Sequence, residues 1–124
     1  MADTLLVPSG NDGFHLFIIL NDPISIDCYP GLSCILVCVC SIPGNGVFYD
    51  NTCTLEAGSH SFIKHRSYIA YRHTRIETDR ALQARVADGV FKLRASCADP
   101  PFSEIKDGLN TTSHTKNAFK NLLI

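Results

Sequence analysis

Apolar residues along this chain gather in runs of strand length rather than at helical spacing. Residues 14–20, FHLFIIL, are rich in β-formers and stop at Asn21-Asp22-Pro23, where turn chemistry and the missing proline amide end a ladder. Residues 33–42 are apolar at nearly every position. Alternation puts Cys34, Leu36, Cys38 and Cys40 on one face and Ile35, Val37, Val39 and Ser41 on the other, so both faces of this strand are predicted to be covered. Pro43-Gly44-Asn45-Gly46 terminates it. Shorter extended segments follow at 52–55, 62–63, 67–73 and 90–93. In the 67–73 run, Tyr68, Ala70 and Arg72 alternate with Ile69, Tyr71 and His73.

One stretch reads as a helix with clear ends. Thr78 or Asp79 caps it, Leu82 and Val86 share a face at i, i+4, and Gly89 stops it, predicting a helix over about 79–88. Beyond Pro100-Pro101, residues 103–109 and 115–123 are short helical candidates. Residues 1–13 are polar or rich in Gly and Pro and are expected to form a flexible N-terminus, leaving 14–124 as a single domain. The predicted class is mainly β with helices: a small β-barrel, one packed helix and helical C-terminal segments from about residue 103.

With 124 residues, 45% of them hydrophobic, the chain can bury one core. No apolar run reaches the length of a membrane span, and the first residues lack the basic region of a secretion signal, so a cytoplasmic protein is expected. In that compartment the six cysteines are thiols and serve mainly as small core residues.

The net charge of −1 conceals a segregation. Residues 1–63 hold six acids and no Lys or Arg, giving −6, whereas residues 64–124 hold all eleven bases and six acids, giving +5. The halves can pair their charges, or the fold can keep an acidic and a basic face, and the second outcome suits a polyanionic partner.

The basic half opens with an unusual cluster. Lys64, His65, Arg66, Arg72, His73 and Arg75 are interleaved with Tyr68 and Tyr71. Guanidinium groups grip phosphates bidentately and tyrosines stack on unpaired bases, so Lys64, Arg66, Tyr68, Arg72 and Arg75 form a candidate surface for single-stranded RNA. The competing reading is a solvated strand paired with the acidic half. Strict alternation would group Tyr68 with Arg66 and Arg72, and Tyr71 with His73 and Arg75.

His60 is a candidate general base for a 2′-hydroxyl, with His65 or His73 as the acid and Arg66, Arg72 or Arg75 as the phosphate clamp. Against this, Gly58-Ser59-His60-Ser61-Phe62 reads more readily as a turn whose side chains satisfy local backbone groups. Cys53, His60 and His65 make a Cys-x6-His-x4-His series that lacks the paired spacing and the fourth ligand of a structural zinc site. No metal and no other cofactor is expected.

The order of these features, with an apolar strand ending in Ser41, a Ser67-Tyr68-Ile69 strand with basic residues behind it and a helix after it, resembles the MazF/PemK-like toxins over about residues 14–93. That resemblance implies an SH3-like barrel, a homodimer, an antitoxin-like protein partner and, in active members, metal-independent endoribonuclease activity. Ser41 falls where a Thr or Ser credited with cleavage ends the buried strand, with Cys40 where a Thr is expected. The arginine that those toxins carry in the loop after the first strand has no counterpart, because no Lys or Arg precedes Lys64. The candidate catalytic set is Ser41, His60 and Arg66. Three function classes follow: a barrel that binds and cuts single-stranded RNA, a non-catalytic SH3-like module that binds a protein, or, behind these two, a thiol or metal sensor using Cys38, Cys40 and Cys53.

Overall fold

The computed structural model describes residues 2–9, 13–97, 101–113, 119, 120 and 122. The elements are β1 (Ala2–Pro8), β2 (Phe14–Ile19), β3 (Ile24–Ser25), β4 (Leu32–Ser41), β5 (Thr54–Leu55), β6 (Ser67–Thr78), α1 (Asp79–Ala87), β7 (Lys92–Cys97) and α2 (Pro101–Thr111). Seven strands make one antiparallel sheet in the order β5-β6-β4-β2-β1-β7, with β3 on β4. The sheet curls into a half-barrel, matching the mainly β class with one packed helix and a C-terminal helix. Among the described residues, β5 and β7 remain its two edges.

Beta4 is the axis of the molecule, and its double-sided apolar pattern has the expected consequence. Ile35, Val37 and Val39 enter one core with Leu6, Leu16, Ile18, Ile69 and Tyr71, closed by Cys53, Leu55 and Ile63 from the long loop and by Ile105 and Leu109 of α2. Cys34, Leu36 and Cys38 enter the other with Leu5, Val7, Phe17 and Ala70, closed by Leu82 of α1 and by Phe91. A strand covered on both faces needs no polar alternation, which is why residues 33–39 are buried throughout.

The N-terminus corrects the sequence-based expectation. Instead of a flexible segment, residues 2–8 form β1, an interior strand paired with β2 and β7, with Leu5, Leu6 and Val7 nearly solvent-free. Its apolar core is only three residues long and runs into Pro8, too short to register as a strand in isolation.

Helix α1 starts as its sequence predicts: the Thr78 side chain accepts from the Ala81 amide at 3.1 Å, and Asp79 occupies the first turn. Gly89, at φ 81°, lies just past its end in the left-handed region where a Cβ would be strained. Helix α2 begins at Pro101 rather than 103, since proline fits the first turn of a helix, and extends to Thr111. Most of the second C-terminal helical candidate, 115–123, lies outside the described residues. Phe62, expected to be extended, sits in a turn, and β6 is longer than expected, running without a break into α1.

Candidate nucleic-acid interface

Beta6 does not alternate simply, and this rearranges the basic cluster. Leu36 pairs with Arg75 and Cys38 with Ala70, so two steps along β4 are matched by five along β6. The excess forms a bulge at 71–74, closed by the Thr74 hydroxyl donating to the Tyr71 carbonyl at 2.6 Å. Arg72 and His73 are pushed into solvent at its crest.

The bulge resets the phase of the strand. Arg75, opposite Leu36, lands on the same face as Tyr68 rather than with Tyr71, correcting the grouping read from strict alternation. Its guanidinium lies 5.6 Å from the Phe17 ring and 5.8 Å from the Phe91 ring and forms an ion pair with Glu77. Arg75 is thus spent on packing. Arg66 is exposed and meets Glu56 at 3.1 Å, a surface ion pair joining the acidic and basic halves. Lys64 is exposed in the turn before β6.

The proposed catalytic residues are only partly brought together. Ser41 is exposed at the end of β4 opposite Ser67, and the Ile42 amide donates to the Arg66 carbonyl at 3.1 Å, placing Ser41 and Arg66 at one end of the β4–β6 ladder. His60 is committed elsewhere. It is 6% exposed; its Nδ1 accepts from the Phe62 amide at 3.0 Å, which leaves Nε2 to donate to the Thr4 hydroxyl at 3.1 Å. Both ring nitrogens are used in holding the long loop against β1, the geometry of the turn reading rather than of a general base. His73 accepts from Arg72 Nε at 3.3 Å, and burial, the Arg72 charge and His15 all lower its pKa.

An aromatic patch forms around Tyr68 and Arg72 that the sequence reading did not include. After Asn45, left-handed at φ 59°, the chain presents Phe48 with 79% of its surface exposed, then packs Tyr49 against Tyr68 with ring centroids 5.2 Å apart. Phe48, Tyr49, Tyr68 and Arg72 border one small recess, which Asp50 and Ala70 also line. The available signal was Val47-Phe48-Tyr49, three large apolar side chains directly after a turn that ends a buried strand.

Beneath the patch lie two thiols. Cys38 and Cys40 share a face of β4 with their sulfurs 3.8 Å apart. The Cys38 thiol as hydrogen-bond donor, then the Tyr68 hydroxyl and the Arg72 charge, stabilise a Cys40 thiolate against the opposing cost of burial and bring its pKa down to about 7. The same coupling and burial push Cys38 up. Cys28, Cys34, Cys38, Cys40 and Cys53 are all free thiols. Among the described residues no three His, Cys, Asp or Glu side chains are grouped to hold a metal, and no helix is long and apolar enough to cross a membrane. No protein-family model, curated protein or solved structure matches the chain.

Proposed function

We propose that this protein binds single-stranded RNA through the patch of Phe48, Tyr49, Tyr68 and Arg72, on a barrel of the MazF/PemK-like kind, and does not cleave it. The observation that supports this reading most is the placement of three aromatic rings and a solvent-directed guanidinium around one recess. Stacking on unpaired bases and gripping the phosphates between them need these two side-chain types side by side. Lys64, exposed ahead of β6, adds positive charge, and Arg66 beside it shares its charge with Glu56. Binding without cutting follows from His60, whose nitrogens are occupied, and from the absence of any Lys or Arg before residue 64 to stabilise charge building on a phosphate. The proposal includes the two-fold homodimer of that toxin group. Light scattering at micromolar concentration should then return twice the chain mass of 13.6 kDa.

The test is fluorescence anisotropy with a labelled twelve-residue oligouridylate. Binding should weaken in Phe48→Ala and Tyr68→Ala, and Arg72→Ala should reduce the salt slope by about 0.7, the value of one phosphate contact on a single strand. Wild-type protein that fails to bind at low salt would overturn the proposal. The exposed Val47 and Phe48 would then belong to the alternative protein-interaction module.

A further inference from the structure

A cavity lies away from this patch, between the sheet and the helices. It measures about 840 Å³, within the size range of pockets that hold small organic ligands. Its walls are apolar where they are made by Leu5 of β1, Ile19 of β2, Leu82 and Val86 of α1, and Phe102 of α2.

The charges around it are unbalanced. Among the described residues, Asp3, Asp22 and Asp79 line the cavity against one base, Lys106. The thiol of Cys34, also in the lining, registers the resulting field: burial first, then the carboxylates of Asp79 and Asp22, push it up to about 11. The N-terminus of α1 would by itself favour an anion. That tendency is offset, because the Thr78 side chain takes the Ala81 amide and Asp79 sits in the first turn, where it also accepts from Gln83 at 2.8 Å.

We propose that this cavity binds an amphipathic organic cation, with an aliphatic or aromatic body against Leu5, Leu82, Val86 and Phe102 and a terminal ammonium directed at Asp22 and Asp79. The body removes apolar wall from water, which supplies affinity, while the carboxylates select the sign of the head group. An ammonium at the exposed Asp22 also keeps some of its water, so neither partner has to be fully desolvated.

Octylammonium and octanoate make a matched pair of probes, equal in chain length and opposite in charge. Titration calorimetry on the full chain at low ionic strength should give octylammonium binding at least ten-fold tighter than octanoate. In Asp22→Asn, an exposed turn position, the ratio should fall several-fold. In Ala87→Trp, where an exposed helical position bordering the cavity gains bulk, both probes should be lost while the melting temperature stays near wild type. Equal affinity for the two probes, preference for octanoate, or no binding of either to the wild type would each overturn the assignment.

Discussion

The hydroxyl of Tyr71 occupies the place where a Cβ on Gly108 would stand, and from there it donates to the Ile105 carbonyl at 2.7 Å. One bond thus fastens α2 to β6, and only a glycine on the helix leaves room for it. Alanine in place of glycine inside a helix ordinarily gains about 0.5–1 kcal/mol. Here the sign should reverse: Gly108→Ala should destabilise by about 1–3 kcal/mol in urea unfolding, because a buried ring would have to move. Tyr71→Phe should cost about 1 kcal/mol, and the double variant less than the sum, since removing the hydroxyl relieves the closest part of the clash.

The tie between His60 and Thr4 makes a second prediction about stability rather than catalysis. His60→Ala would leave the buried Thr4 hydroxyl and the Phe62 amide without this partner and open a void between the loop and β1. A loss of about 2–3 kcal/mol is expected, measured by thermal or denaturant melting. RNA affinity of the folded protein should be unchanged. A fall in RNA affinity without loss of stability would place His60 on the binding surface instead.

Arg72 and Arg75 should behave as opposites. Arg75→Ala should lower stability by about 1 kcal/mol through loss of the contacts to Phe17 and Phe91, with the RNA salt slope intact. Arg72→Ala should leave stability within about 0.5 kcal/mol, as for exposed positions generally, and reduce the slope. Melting curves and anisotropy on the two purified variants distinguish these outcomes.

Much of the fold was legible because burial leaves a pattern in sequence. The residues of β4 divide between two cores as their alternation requires, and Thr78, Asp79 and Gly89 carry the ends of α1 in their own side chains or lack of one. Beta1 was not legible, because three apolar residues before a proline acquire strand character only from partners on both sides. The site was legible in part. Tyr68 and Arg72 stand out in the sequence as candidates by side-chain type, but the register shift in β6 that withdraws Arg75 depends on pairing with β4, which no local pattern encodes. Phe48 and Tyr49 do not stand out in the sequence, because a turn signal marks where a strand ends and not what the following residues face.

The thiol pair gives a pH dependence. The thiolate is the reactive form, so alkylation of Cys40 by iodoacetamide should rise with pH to half its maximal rate near pH 7. Cys34, held near 11, should react only well above that range. Cys38→Ala removes the principal donor to the Cys40 sulfur, and the midpoint should move upward. Peptide mass spectrometry after timed quenching resolves the sites, and a Cys40 midpoint above 8.5 in the wild type would contradict the assignment.

The position of β1 also governs how the chain acquires its shape. Leu5 lies opposite Leu93, so the first described strand is enclosed only when the last described strand docks beside it. Closing so long a loop is paid for in entropy before any contact rewards it, which slows folding. During synthesis, β1 can pair with β2 while its other edge stays open until residues 92–97 emerge, offering unpaired amides and carbonyls beside Leu5 and Leu6. A nascent chain, or a fragment ending before Lys92, therefore displays a sticky strand edge that the finished molecule conceals, and it is at this stage that the protein most needs a chaperone.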